Sequence, residues 1–359
     1  MLITYPHMGT MAIVLEALFT SLGRTVLTPP PITKRTMELG VKNSPETVCL
    51  PFKVTLGNFI EALDQGADTL VTCGGVGPCR LGYYAEVQKG ILQQLGYKFD
   101  MLVIEPDIVD VLKHLRKVAY KKSLREIYHA FKFAGAKMNA LDSIEKGLTA
   151  LRPRQKTPGS ADAIWQRAVT DIAYSQDIPQ ITNVLQDTLS KIERDMCYDA
   201  EPLKIGLVGE IYVTIEPFIN LNIERLLGNM GVEVHKIMYL SDYVRGHLLR
   251  KREYLDKYED LFALAKPYLG HYVGGHGLKS IGHTIDMSQS GYDGVIQVYP
   301  FTCMPEVIAK NILPKVSQDR NIPVLSLVYD EQSGEAGILT RLEAFIDLLK
   351  SRKKIAALS

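Results

Sequence analysis

Residues 72–84 read TCGGVGPCRLGYY, two thiols (Cys73 and Cys79) with five residues between them in a run too rich in glycine and proline for regular helix or strand. A cysteine pair on so bare a loop suits a disulfide staple, a phosphate cradle or a soft-metal site. Two further cysteines share the context. Cys49 lies in SPETVCLPFK just before a helical pattern, and Cys303 lies in YPFTCMPE between a strand pattern and a helical one. Proline follows Cys49 and Cys303 within two residues and precedes Cys79. Proline fixes the backbone and removes a competing N–H, while a helix start favours thiolate. Thiolates with backbone N–H groups aimed at sulfide are what iron–sulfur clusters require, and a glycine-rich turn supplies those donors at little steric cost. The spacing alone does not select the metal, because Cys-x5-Cys matches neither the ferredoxin runs nor the paired Cys-x2-Cys of a zinc ribbon. Cys197, in the charged stretch RDMCY, reads as a structural cysteine.

The staple is disfavoured by an odd total of five cysteines and by the cytoplasmic location expected of a chain with no secretory signal pattern. The phosphate cradle fares little better. After Gly75 and Gly77, Arg80 stands where a dinucleotide fingerprint needs its third glycine. A second run, GLKSIGHT at residues 277–284, has the spacing of a P-loop but carries His283 in place of lysine and follows no apolar strand. It reads as a structural glycine loop. With Gly270, Gly274, Gly275, His271 and His276 it marks a segment able to border a ligand site.

These residues need a scaffold. At 359 residues, two or three domains are expected. Apolar segments at 1–5, 25–27, 69–72 and 101–104 alternate with helical patterns at 9–22, 58–65 and 84–95, each helix stopped by glycine. The alternation predicts a parallel sheet covered by helices, with Cys73 at the carboxyl end of a strand, where such sheets bind ligands. Residues 107–200 are dominated by helix formers, with a loop at 153–159. A second α/β pattern follows: strands at 204–208, 232–236, 294–299 and 323–328, and helices at 216–229, 305–316 and 337–353. The expected architecture is α/β, with Rossmann-like lobes at 1–106 and 201–359 joined by a helical segment at 107–200. Lys and Arg number 41 against 40 Asp and Glu, which gives no electrostatic reason to expect nucleic acid or an anionic membrane as partner. The basic run at 116–125 reads as a solvated helix face. No apolar run approaches the length that spans a bilayer.

SPETVCLPFKVTLGN, GGVGPCRLGYY, GLVGEIYVTIEPF, YPFTCMPE and DEQSGEAGILTRLEAFIDLL together resemble the activase-related, double-cubane-cluster-like proteins of the 2-hydroxyacyl-CoA dehydratase and benzoyl-CoA reductase superfamily. The resemblance implies an oxygen-sensitive iron–sulfur protein of anaerobic metabolism with its cluster in the cleft between two lobes, either [4Fe-4S] or a double cubane bridged across a dimer. It implies a separate actin/Hsp70-type ATPase that delivers low-potential electrons, and a small-molecule substrate that is reduced or dehydrated. A homodimer or a related subunit is a further implied partner. Matched motif by motif, the ligand cysteines fall on Cys49, Cys79 and Cys303, with Cys73 a fourth candidate. Three thiolates would leave one iron open to substrate; four would suit electron transfer. Glu210 and Glu216 of GEIYVTIEPF are candidate proton donors or substrate contacts with helix capping as the competing role, and Arg80 would offset cluster charge. Larger members carry the ATPase fused; no actin-like phosphate loop precedes Cys49, so the activator is expected on another chain. A non-catalytic cluster carrier and a zinc-thiolate binding protein are the alternatives.

Overall fold

The computed structural model describes residues 1–75, 77–105, 111, 114, 116–119 and 121–358. Val76 of the glycine loop, residues 107–110 at the start of the expected helical segment, and Tyr120 of the basic run lie outside them. The chain forms two compact units. One comprises Met1–Asp142, Asp171–Asn183 and Leu240–Lys251; the other comprises Ser143–Thr170, Val184–Tyr239 and the residues from Arg252 onward.

In the first unit β1 (Leu2–Thr4), α1 (Met11–Ser21), β2 (Thr25–Val26), α2 (Lys34–Asn43), α3 (Leu50–Asp64), β3 (Thr69–Cys73), α4 (Leu81–Gln94) and β4 (Asp100–Ile104) build a four-stranded sheet of order β2-β1-β3-β4. Every pairing is parallel, and β3 matches β4 residue for residue from Thr69–Asp100 to Cys73–Ile104. Twelve of the fifteen residues of α3 are buried, so that helix is enclosed on nearly all sides. Phe52, Leu56, Phe59 and Leu63 pack with Leu70 of β3 and with Tyr84 and Leu92 of α4.

Helices α5 (Leu124–Leu151), α6 (Ser160–Tyr174) and α7 (Ile178–Asp195) follow, and the division between the units falls within all three.

In the second unit β5 (Leu203–Gly209), α8 (Ile211–Ile215), α9 (Ile223–Asn229) and β6 (Val232–Lys236) come first. The short α10 (Leu240–Tyr243), continued by a π-helical turn, returns to the first unit. Then come α11 (Arg252–Ala265), α12 (Gly277–Gln289), β7 (Gly294–Pro300), α13 (Met304–Arg320), β8 (Val324–Tyr329) and α14 (Glu335–Leu358). This sheet has the order β6-β5-β7-β8 and is also parallel throughout. All seven residues of β7 are buried, as a central strand covered on both faces requires. Ile281 and Ile285 of α12 meet Ala309, Leu313 and Val316 of α13 in the core.

Two parallel α/β sheets flanked by helices were expected, and both are present. Helices α10 and α11 lie where no element was expected, and three further differences stand out. The helix expected at 216–229 is interrupted: α8 ends at Ile215, Pro217 follows, and Leu221 and Asn222 adopt left-handed backbone before α9 begins. The glycine loop expected at 277–284 is α12, ten of whose thirteen residues are buried. Helix α2 was not anticipated; it starts at a capping box in which Thr33 and Thr36 exchange side-chain and backbone hydrogen bonds.

Candidate functional site

The two sheets run in the same order: second, first, third, fourth strand along each unit. In each, the direction of growth reverses between the first and third strands, and the crevice beyond their carboxyl ends is where open α/β sheets bind ligands. The candidate residues sit at those carboxyl ends.

In the first unit Cys73 closes β3, and the Gly74 N–H donates to the Ile104 carbonyl at 2.9 Å, extending the ladder by one residue. Cys73 keeps a solvent-exposed edge, yet it is packed densely enough that burial, and then the Glu105 carboxylate, push its thiol up. The loop folds back on the start of α4 so closely that a Cβ on Gly82 would lie 2.4 Å from the Gly75 carbonyl oxygen. Cys79 is half-buried in this turn, and its carbonyl accepts from the Gly82 N–H. Arg80 begins α4 and donates from Nη1 to the Thr47 carbonyl at 2.8 Å, tying the loop to the segment just before Cys49.

Cys49 is the N-cap of α3, in extended backbone with Pro51 in the first turn. Because α3 leads into the amino end of β3, its own N-terminus lies at the carboxyl edge of the sheet, the edge that carries Cys73 and Cys79. The Cys49 Sγ is 2.7 Å from the Tyr84 hydroxyl, and the Cys49 N–H donates to the same oxygen at 3.4 Å. Burial and then the neighbouring thiol push the Tyr84 hydroxyl up, so Tyr84 remains a protonated hydrogen-bond donor.

In the second unit β7 delivers Phe301, Thr302 and Cys303 directly to the head of α13. Thr302 adopts left-handed backbone (φ 65°), Cys303 is the N-cap, and Pro305 stands in the first turn. Cys303 is buried. His276 and Gly277 at the head of α12 press against the same turn: a Cβ on Gly277 would lie 2.4 Å from the Pro305 carbonyl oxygen.

Beneath Cys303 is a polar group that the sequence did not single out. Glu306 is completely buried, and its carboxyl accepts from Ser280 Oγ at 3.0 Å and from Gln297 Nε2 at 2.8 Å. Gln297 in turn accepts from Ser326 Oγ at 2.8 Å. Burial outweighs these bonds, and with the charge of Glu210 it raises Glu306 to about 7. The carboxyl therefore gains and loses its proton near neutral pH. Its only sequence signal is an acidic residue in the first turn after Cys303.

Glu210 and Glu216 flank α8. The Glu210 carboxylate caps the helix by accepting from the Tyr212 and Val213 N–H groups, while burial raises its pKa. Glu216 is buried and accepts from the Phe218 N–H at 3.2 Å. The P-loop-like residues turn inward. Lys279 is buried with Nζ 3.7 Å from the Tyr258 ring centroid, and burial lowers it to about 7. His283 is lowered to about 3 by burial and by Lys257 and Lys279, so it stays neutral. Cys197 lies just past α7, where its N–H donates to the Arg154 carbonyl.

Among the described residues no three His, Cys, Asp or Glu side chains gather into a metal-holding group. The donors are nonetheless of the kind a soft iron centre takes: thiols on two helix N-termini and on a glycine loop.

Residues 7–72 match a family model described as a CoA enzyme activase uncharacterised domain. The match covers less than a fifth of the chain, from before α1 into β3, and contains Cys49 but neither Cys73 nor Cys79. It relates the N-terminal segment to CoA-enzyme activase proteins. No curated protein gives a significant match. No described helix is long and apolar enough to cross a membrane.

Proposed function

We propose that the chain is an iron–sulfur redox protein of the 2-hydroxyacyl-CoA dehydratase superfamily. In this reading it accepts low-potential electrons from a separate ATP-dependent activator and reduces or dehydrates a small substrate. One observation carries it: Cys49 and Cys303 each occupy the N-cap of a helix at the carboxyl edge of a parallel sheet, each in a Cys-x-Pro sequence, and neither makes a side-chain cap bond. The activase-related match over Cys49 supports the same family.

Cys49, Cys79 and Cys303 would hold the cluster, with Cys73 the fourth candidate; when bound it would supply one-electron transfer. The helix dipoles favour the thiolate form of Cys49 and Cys303. With Cys49 as thiolate, the Tyr84 hydroxyl 2.7 Å away would donate to its sulfur and withdraw electron density from it. Glu306 holds or releases a proton three residues beyond Cys303.

The test is anaerobic iron and acid-labile sulfide analysis with electron paramagnetic resonance on the wild type and on Cys49→Ser, Cys79→Ser, Cys303→Ser and Cys197→Ser. The first three should lose the brown chromophore yet remain folded, and Cys197→Ser should keep its iron. Full iron in Cys303→Ser removes that residue from the ligand set, and zinc without sulfide in the wild type overturns the reading.

A further inference from the structure

A cavity of about 200 Å³ in the second unit belongs to none of the thiol chemistry. Its apolar lining comes from Leu148 of α5, Ile215 at the end of α8, Pro217 after it, Val232 and Val234 of β6, and the ring of Trp165 on α6, interleaved with the uncharged polar Thr149, Gln166, Asn220 and Asn222. Its charged groups form two clusters. In one, the buried Lys236 ammonium lies between Glu145 (2.5 Å) and Glu224 (3.1 Å). In the other, the single carboxylate of Asp162 takes the Arg152 guanidinium on one oxygen and Arg225 Nε on the other, the latter at 2.7 Å.

Counted as ionised side chains, two carboxylates and one ammonium leave the first cluster one charge negative, and two guanidiniums and one carboxylate leave the second one charge positive. The excess has consequences on both sides. Burial alone would depress the Lys236 ammonium, but Glu145 and Glu224 together hold it well above its ordinary value. Burial raises Glu224, and Glu145 adds to that rise against the pull of Lys236 and, more weakly, of Arg152 from the other cluster. A cation entering beside the two carboxylates would relieve their repulsion. At the other cluster Arg225 has a half-exposed side chain engaged at Nε, and its terminal N–H fork is the geometry that grips a carboxylate.

We propose that this cavity binds a zwitterionic α-amino acid with an apolar side chain. The α-carboxylate would meet Arg225 and Arg152, the α-ammonium would meet Glu145 and Glu224, and the side chain would lie on the accessible Trp165, Ile215 and Pro217. The volume agrees, corresponding to roughly seven water molecules at about 30 Å³ each, the bulk of a mid-sized amino acid. Opposite charge excesses on one cavity wall reject molecules bearing only one of the charges, because one cluster is then desolvated without a partner.

Trp165 is the only tryptophan in the chain, so intrinsic fluorescence reports this cavity directly. The metal-free 359-residue chain is titrated with L-leucine, L-isoleucine and L-methionine, and with isopentylamine and 4-methylpentanoate, which each lack one charge of leucine. At least one amino acid should give a saturable emission change below about 10 mM. Leucine should exceed each single-charge analogue by about tenfold or more, the loss expected for a charge-assisted hydrogen bond. Arg225→Ala, at a half-exposed side chain, should fold normally and bind about tenfold more weakly. Equilibrium dialysis with labelled leucine, isoleucine and methionine covers a spectroscopically silent complex. The proposal is overturned if no amino acid binds by either method, if the single-charge analogues bind as well as leucine, or if Arg225→Ala binds like the wild type. Apoprotein suffices, so the outcome is independent of cluster content.

Discussion

Glu306→Gln separates the electrostatic cost of the buried acid from its packing. Glu306 is fully buried and titrates near 7, against an ordinary value of 4.5. The unfolded chain releases this proton as pH rises through 4.5, whereas the folded chain keeps it until about 7. Between those values the unfolded state binds fewer protons, so stability falls as pH rises, and it is level on either side. A shift of this size corresponds to roughly 3 kcal/mol across the window. Glutamine retains the hydrogen bonds: its carbonyl accepts from Gln297 Nε2 and its amide donates to Ser280 Oγ, as a protonated glutamate does. Relative to wild type, Glu306→Gln should therefore gain about 2–3 kcal/mol between pH 4.5 and pH 7.5 and lie within about 1 kcal/mol of it at pH 4.5. Urea denaturation at several pH values, followed by Trp165 fluorescence, measures this difference in the unit that contains both residues. A variant-minus-wild-type difference that stays flat with pH would refute the assignment of Glu306 as a neutral-range acid.

Lys236→Met should cost about 3–5 kcal/mol at pH 7, because Glu145 and Glu224 would face each other with no ammonium between them; the loss should shrink as pH falls, because Glu224, raised by burial and by Glu145, takes up a proton and relieves the repulsion. Two helical glycines should respond to alanine with opposite signs in thermal melts. Gly90→Ala in α4 meets open space and should stabilise by about 0.5–1 kcal/mol, whereas Gly282→Ala in α12 places a Cβ 2.4 Å from the Leu261 carbonyl oxygen and should destabilise by about 2 kcal/mol or more.

Both sheets were legible because their strands are short apolar runs bounded by glycine, and because a strand buried on both faces cannot be polar. Cys73 and Cys303 could be placed at strand ends for the same reason. Residues 277–284 misled because glycine density usually signals a loop. Here Gly277 and Gly282 are small where α12 meets the backbones of α13 and α11, a requirement written in partners far away in sequence. The break between α8 and α9 had a local signal in Pro217, outweighed by the helical pattern around it. The carboxyl network of Glu306, Gln297 and Ser280 had only the acidic residue in the first turn after Cys303, since it joins β7, α12 and α13 through residues each unremarkable alone. The opposed charge clusters around Trp165 were hidden likewise: Glu145, Asp162 and Arg225 are ordinary surface residue types until three helices bring them to one cavity.

The N-caps of α3 and α13 bear most directly on why the thiols are there. Serine, threonine, aspartate or asparagine at an N-cap satisfies a free backbone N–H and stabilises a helix by about 1 kcal/mol over a residue that cannot. Cys49 and Cys303 stand at those positions without a side-chain cap bond, in helices whose prolines already remove one first-turn donor. Folding stability alone would favour serine at both, because its hydroxyl can accept from the Glu306 N–H at α13 and share the Phe52 N–H, which donates to the Cys49 carbonyl at 3.0 Å, at α3. Each single change to serine should therefore raise the stability of the metal-free protein by about 0.5–1 kcal/mol, measured by denaturation under anaerobic, chelated conditions. The same changes should abolish iron binding. Stability gained together with binding lost is what a residue placed for chemistry produces. If both variants instead lose stability without metal, the thiols serve the core, and the N-cap pair ceases to support a cluster.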